Sequence, residues 1–214
     1  MFRHIPHETG DIRPAFRDSA TAQVLGPGSS KSDISGAFRA CGLSIPVDDS
    51  DGASSGAFYR LAHLLHFDMA ELRRDGCALT LHVAIVPISI QCHHKDWLEL
   101  YEPCLTDGSR DRLFEAVPER NETVREAAIR GLDALGFAIG SDYHLELCPA
   151  SAEARPADPA DRLFPAFGAL GQVTYRYPVL CFLEPHRYRE TLALRRDGHA
   201  VTCLWRPAVD RHRR

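Results

Sequence analysis

The sequence predicts an α+β fold: a mainly antiparallel sheet built from β-hairpins, with two to three helices packed on it. Three observations carry this. Leu72-Arg73-Arg74-Asp75-Gly76 recurs as Leu194-Arg195-Arg196-Asp197-Gly198, and each Asp-Gly lies between runs of alternating polarity. Such a dipeptide is a strong hairpin signal, because a type I′ turn needs positive φ at both central residues. Residues 79–90 form the most hydrophobic strand-like run, and stretches with apolar residues at helical spacing alternate with these hairpins rather than following them.

Pairing each LRRDG hairpin across its turn gives a consistent picture. In the second, Leu194 faces Val201, Leu192 faces Cys203 and Glu190 faces Trp205. In the first, Leu72 faces Leu79, Ala70 faces Leu81 and Asp68 faces Val83. One face is mostly apolar in each. The other carries Glu71, Arg73, Thr80 and His82, or Thr191, Arg195, Thr202 and Leu204. Alternate side chains of a strand point to opposite faces, so each hairpin can lay one side on a core. Leu72, Leu79, Leu192, Leu194, Val201 and Trp205 are the residues expected to be buried there.

The remaining elements follow in order. Residues 1–56 read as a loop-rich N-terminal arm, rich in Gly, Ser, Pro and Asp, with one short helix from Asp33 through Phe38 and Cys41. Residues 57–148 read as the α+β core. Its first helix has Ser54 or Ser55 as cap, runs to His66, and carries Phe58, Leu61, Leu64 and Leu65 on one stripe. Pro87 is expected to break or bulge the strand after the first turn. His93-His94-Lys95-Asp96 connects to residues 97–102, and a short helix is expected over residues 112–117. Asn121 opens the clearest helix. Glu122 favours its positive end, Val124, Ala128, Leu132 and Leu135 form one face, and Gly136 ends it. Residues 137–139 and 143–147 read as a further hairpin-like unit about Gly140-Ser141-Asp142. Residues 149–171 are an Ala- and Pro-rich loop. Residues 172–214 form a C-terminal β-meander sharing the same core, with residues 172–183 as one strand, and end in the basic tail Arg211-His212-Arg213-Arg214.

Composition narrows the function classes. Hydrophobic residues make up 44% of the 214 and charged residues 25%, ordinary globular usage. A net charge of −4 argues against a surface that wraps nucleic acid as a whole. The first residues lack a signal-peptide core, and no run approaches a membrane span. Seven scattered cysteines without a close-spaced framework favour free thiols in a reducing cytoplasm.

The partial motifs are each incomplete. Gly52-Ala53-Ser54-Ser55-Gly56 matches G-x-S-x-G, but the acidic residues before it cannot form the buried strand that a nucleophile elbow needs. Around Lys31-Ser32, the glycine positions of a phosphate loop are held by Ser30 and Leu25. Cys92, His94 and Cys104 offer thiolate and imidazole ligands suited to tetrahedral zinc, at spacings that match no standard finger. His144 and Glu146, two apart on a strand, share a side and are the candidate acid–base pair. Arg73, Arg74, Arg195 and Arg196 double a basic feature before the two turns. They can seat an acidic partner or a phosphate backbone, or simply guard sheet edges.

The leading expectation is a cytoplasmic binding or accessory module (adaptor, subunit or inhibitor-type) that contacts another protein, with no cofactor, no membrane and no catalysis. One alternative is a metal-assisted hydrolase using zinc in the Cys92–Cys104 region. The other is a phosphate- or RNA-backbone binder acting through the arginine hairpins.

Overall fold

The computed structural model describes residues 12, 14, 22–44, 53–103, 113–119, 121–147, 153–156, 170–196 and 199–208. Among these residues three helices, α1 (Lys31–Ala40), α2 (Ala53–His66) and α3 (Val124–Ala134), accompany an 11-stranded sheet. Its strands are β1 (Gln23–Leu25), β2 (Ala70–Asp75), β3 (Ala78–Cys92), β4 (Leu98–Tyr101), β5 (Phe114–Ala116), β6 (Tyr143–Leu147), β7 (Glu153–Pro156), β8 (Gly171–Arg176), β9 (Val179–Leu183), β10 (Leu192–Arg196) and β11 (His199–Pro207). All pairings are antiparallel except those of β3 with β8 and with β9. The fold is therefore α+β.

β3 is the spine. At 15 residues it is far longer than the usual strand of about 5 to 6. Its first half pairs with β2 on one side and β8 on the other; its second half pairs with β9 on one side and with β5 and β4 on the other. Leu79, Leu81 and Val83 pack with Ile34 and Phe38 of α1 and Leu61 and Leu65 of α2. Ala84, Val86, Ile88 and Ile90 pack with Val124, Ala127, Ala128 and Leu132 of α3. Odd and even residues of a strand point to opposite faces. The two helical layers thus lie on opposite sides of one strand.

Capping boxes start α1 and α3. In α1 the Ser30 hydroxyl accepts from the Asp33 N–H at 3.2 Å, while the Asp33 carboxylate accepts from the Ser30 N–H at 2.8 Å. Asp33 is thus the third helical residue, not the cap. Thr123 and Glu126 repeat the arrangement at 3.2 and 2.8 Å, so α3 begins after Thr123 rather than at Asn121, which adopts left-handed φ +63°. Gly136, at φ +89°, ends it. Ser54 and Ser55 fall inside the first turn of α2.

Several expectations change. Pro87 neither breaks nor ends β3, because the break lies in the neighbour. β8 stops at Arg176 and β9 resumes at Val179, and the shared register puts Pro178 opposite Pro87. Two residues without an N–H meet where no ladder bond is required. Residues 172–183 are accordingly two strands. The helix expected over residues 112–117 is instead β5, with Phe114 and Ala116 buried and Glu115 exposed, a period of two. β6 forms no hairpin with residues 137–139. It pairs with β9, and only a single bridge joins Ile139 to Tyr143. Within the segment read as an Ala- and Pro-rich loop, Glu153–Pro156 is a strand on β8.

The two LRRDG hairpins are not equivalent. In the first, Asp75 pairs with Ala78, so Gly76-Cys77 is the turn and only Gly76 takes positive φ, at +57°. Glycine at the first central position is the type II′ pattern, not I′. Leu72 therefore meets Leu81 and Ala70 meets Val83, a slip of two residues that keeps every side chain on its face. In the second, Leu194 meets Val201 and Leu192 meets Cys203, with Asp197-Gly198 outside the described residues. Leu72, Leu79 and Leu194 are buried; Leu192, Val201 and Trp205 are half-buried.

Candidate functional site

β3 also determines which side of the sheet joins neither core and carries no helix among the described residues. α1 and α2 cover the odd-numbered side of its first half, and α3 covers the even-numbered side of its second. The odd-numbered side of the second half, Pro87, Ser89 and Gln91, joins neither core, nor do Leu180, Phe182 and Leu204 on the strands beside it. Residues paired across strands share a face. One row runs across five strands through consecutive register partners: His144, Phe182, Gln91, Glu99 and Arg206.

The aromatic end of this row is built on a strained turn. After β3, His93–Lys95 make one 3-10 turn, and then Asp96 and Trp97 both take left-handed φ, +55° and +57°. Asp tolerates that region; a bulky aromatic rarely enters it. The Ala208 N–H holds the turn by donating to the Trp97 carbonyl at 2.7 Å. The indole is 57% exposed. It leans edge-on toward Phe182 at 6.1 Å, His93 lies 6.1 Å from both rings, and His144 stacks tilted on Phe182 at 5.0 Å. Those geometries are the favourable offset and edge-to-face contacts of π systems.

The other end is polar and closely bonded. Glu99, only 8% exposed, accepts from the Ser89 hydroxyl at 2.6 Å and from Arg206 Nη2 at 3.3 Å. Gln91 Nε2 donates to the same Ser89 oxygen at 2.9 Å, and the Arg206 guanidinium lies over Tyr101 at 5.0 Å. A carboxylate this buried needs those donors. Trp97 and His144, seated on the buried Phe182, stand near a fixed, paired charge, an arrangement suited to gripping an apolar group and orienting polar ones.

The residues singled out in the sequence disperse. His144 and Glu146 do share the helix-free face, opposite Phe182 and Leu180, but both are exposed and no hydrogen bond joins them. Cys92 and His94 meet, Sγ lying 3.3 Å from each ring nitrogen; Cys104 lies outside the described residues. Burial pushes the Cys92 thiol up, against the thiolate a metal needs. Among the described residues no three His, Cys, Asp or Glu side chains converge as a metal site. Arg73 is not a surface cation: it is 8% exposed and bonded to Glu71 at 2.7 Å. Arg74 is half-buried and donates to the Gly76 carbonyl. Arg195 is exposed, and the side chain of Arg196 lies outside the described residues. Trp97, Phe182 and Glu99 belong to no motif in the sequence, and Arg206 stands there only as one of several basic residues near the C-terminal end. Trp97 following His93-His94-Lys95-Asp96 was a local hint; the other three meet only through register.

No family model matches the chain, and no characterised protein matches it in sequence. Among solved structures, a MutT/nudix family protein from Enterococcus faecalis superposes with a TM-score of 0.29 at 13% identity, over 81% of this chain and 62% of that one. A superposition this loose defines neither a shared fold nor a shared activity. No described helix is long and apolar enough to cross a membrane.

Proposed function

We propose that the protein is a non-enzymatic binding module that holds a protein partner at the helix-free face of β9, β3, β4 and β11, with the exposed Trp97 as the anchor. The observation that supports this most is the exposed indole carried on two consecutive left-handed residues. Strained backbone of this kind costs on the order of 1–3 kcal/mol per residue and persists where it serves a purpose. Large aromatics and arginines are typical centres of binding energy, and here Trp97 stands near the partly buried pair of Glu99 and Arg206. The partner segment presents an apolar side chain to Trp97 and Phe182 and polar groups toward His144 and Arg206. This reading moves the contact surface away from the arginine hairpins, where Arg73 is already committed to Glu71. A reducing, cytoplasmic setting is part of the proposal, supported by the buried free thiols Cys92, Cys181 and Cys203.

The test is affinity purification from the native host, followed by reconstitution with the purified partner and calorimetry. Trp97→Ala should weaken binding at least about 30-fold, the effect of a hot spot of about 2 kcal/mol. Unchanged affinity in W97A, with the fold intact by circular dichroism, would reject this surface.

A further inference from the structure

A second, independent feature lies where the end of α3 approaches β10. A cleft of about 580 Å³ opens there, walled by the α3 terminus on one side and by the 3-10 turn Pro185–Arg187 and β10 on the other. Arg187, Arg189, Arg195 and His186 line it against a single carboxylate, Asp133. The half-buried Leu135 and Leu192 add apolar lining, with the buried Leu194 between Ala193 and Arg195.

The three arginines differ in how far they are already used. Arg187 donates Nη2 to the Gly136 carbonyl at 3.2 Å, and its Nε lies 3.4 Å from Asp142. That Nε is buried and makes no hydrogen bond of good geometry among the described residues. Asp142 is itself held by the Ala138 N–H at 2.8 Å, which with the Arg187 charge keeps its carboxyl below the usual range. Arg189 is anchored by one nitrogen, Nη1, on the carbonyls of His186 and Tyr188 at 2.9 and 2.7 Å, which are neutral acceptors. Its charge is therefore unmatched by an acid among the described residues, and its fork is held in place. Arg195 is exposed on the edge strand and has no acceptor among the described residues.

We propose that this cleft binds a small phosphate-bearing molecule across the free edge of β10, with Arg189 and Arg195 gripping the phosphate and Leu135 and Leu192, on the other side of that edge, taking an apolar or planar remainder. Guanidinium forks match phosphate oxygens bidentately. Two arginines without acid partners among the described residues suit a dianion better than a single carboxylate. The volume is that of a small-molecule pocket, typically about 300–1,000 Å³, rather than of a groove tracking a nucleic-acid backbone. The site is separate from the Trp97 face and stands whether or not that face binds a protein.

Calorimetric titration of the full chain with inorganic phosphate, phenyl phosphate and a 12-nucleotide RNA tests it. Phenyl phosphate should bind saturably and about 10-fold more tightly than inorganic phosphate, because its ring buries apolar area on the leucines. Arg195→Ser, and Arg189→Ser with it, should weaken phenyl phosphate at least about 10-fold, as expected when a charge-assisted bond is lost. Arg74→Ser should bind it as the parent does. R195S lies on an exposed strand position and serves if the double variant fails to fold. Equal affinity in parent and R195S, no saturable binding of either phosphate compound, or tight RNA binding without phenyl phosphate binding would each overturn the proposal.

Discussion

His82 lies on the polar side of β3, its Nδ1 3.0 Å from the Tyr175 hydroxyl. Burial, and then the positive charge of Arg73, hold its pKa down at about 4. An ordinary histidine, as in the unfolded chain, titrates near 6.5. The folded state thus refuses a proton that the unfolded state accepts. Stability from this group is complete above about pH 6.5, falls as pH drops toward 4, and levels off below. The loss should reach about 1–2 kcal/mol once the half-exposed ring's solvent screening is allowed for. Urea unfolding of parent and His82→Gln across pH 7.5 to 4 measures it: the gap between the two should close as pH falls, and a constant gap would exclude the mechanism. The same neighbourhood shows why arginine count alone misled. Arg73 is packed against Glu71 and faces His82, whereas Arg195, at the matching place in the repeated LRRDG motif, stands in solvent.

α3 shows how an element is fixed by both its own sequence and its seat. Thr123 and Glu126 start it, Gly136 stops it, and Val124, Ala128 and Leu132 face the sheet as the 3.6 spacing foretells. Gly131 tells of the seat. A Cβ there would lie 3.1 Å from Ile88 Cδ1 and 3.3 Å from the Ala116 Cβ, so the helix rides close on β3 and β5. Replacing a mid-helix glycine by alanine normally stabilises by about 0.5–1 kcal/mol. At this site that gain should vanish, and Gly131→Val should destabilise by about 1–3 kcal/mol through overpacking. Denaturant unfolding of both variants decides it; a G131V protein as stable as the parent would mean α3 sits farther from the sheet. β5 carries the opposite lesson. Its three residues alternate correctly for a strand, but so short a run in a polar stretch has no periodicity long enough to separate it from a helical turn.

Across the whole molecule, the two cores meet in β3. Phe38 of α1 and Leu132 of α3 are both fully buried, on opposite sides of that strand. Phe38→Ala should cost about 3–5 kcal/mol and Leu132→Ala about 2–5 kcal/mol. Because the spine is shared, each should shift a single cooperative transition in calorimetry and fluorescence alike. Two separated transitions in either variant would show that the halves unfold independently. The Phe38 result also bears on residues 1–56, which read as an arm: β1 and α1 come from that region, and Leu25, Ile34, Ala37 and Phe38 close one of the cores. Their apolar positions are too few and too widely interrupted by loops to announce a core from sequence.

The sequence by itself determined what short-range physics controls. That covers the α+β class, α3 and its stop at Gly136, the helix ending at His66, and the second hairpin's register from Leu192 to Cys203. Each depends on contacts within about a dozen residues, so spacing and turn chemistry carry the information. Only the tertiary structure decided that β3 would run through Pro87 unbroken, that β6 would pair with β9 from some 40 residues later, and that Phe182, Gln91, Glu99 and Arg206 would fall in one row. Those outcomes depend on which strands become neighbours. Register transmits them across the sheet through backbone hydrogen bonds, which every residue type makes alike apart from proline. The helix-free face and the arginine cleft are products of that long-range pairing, for the same reason.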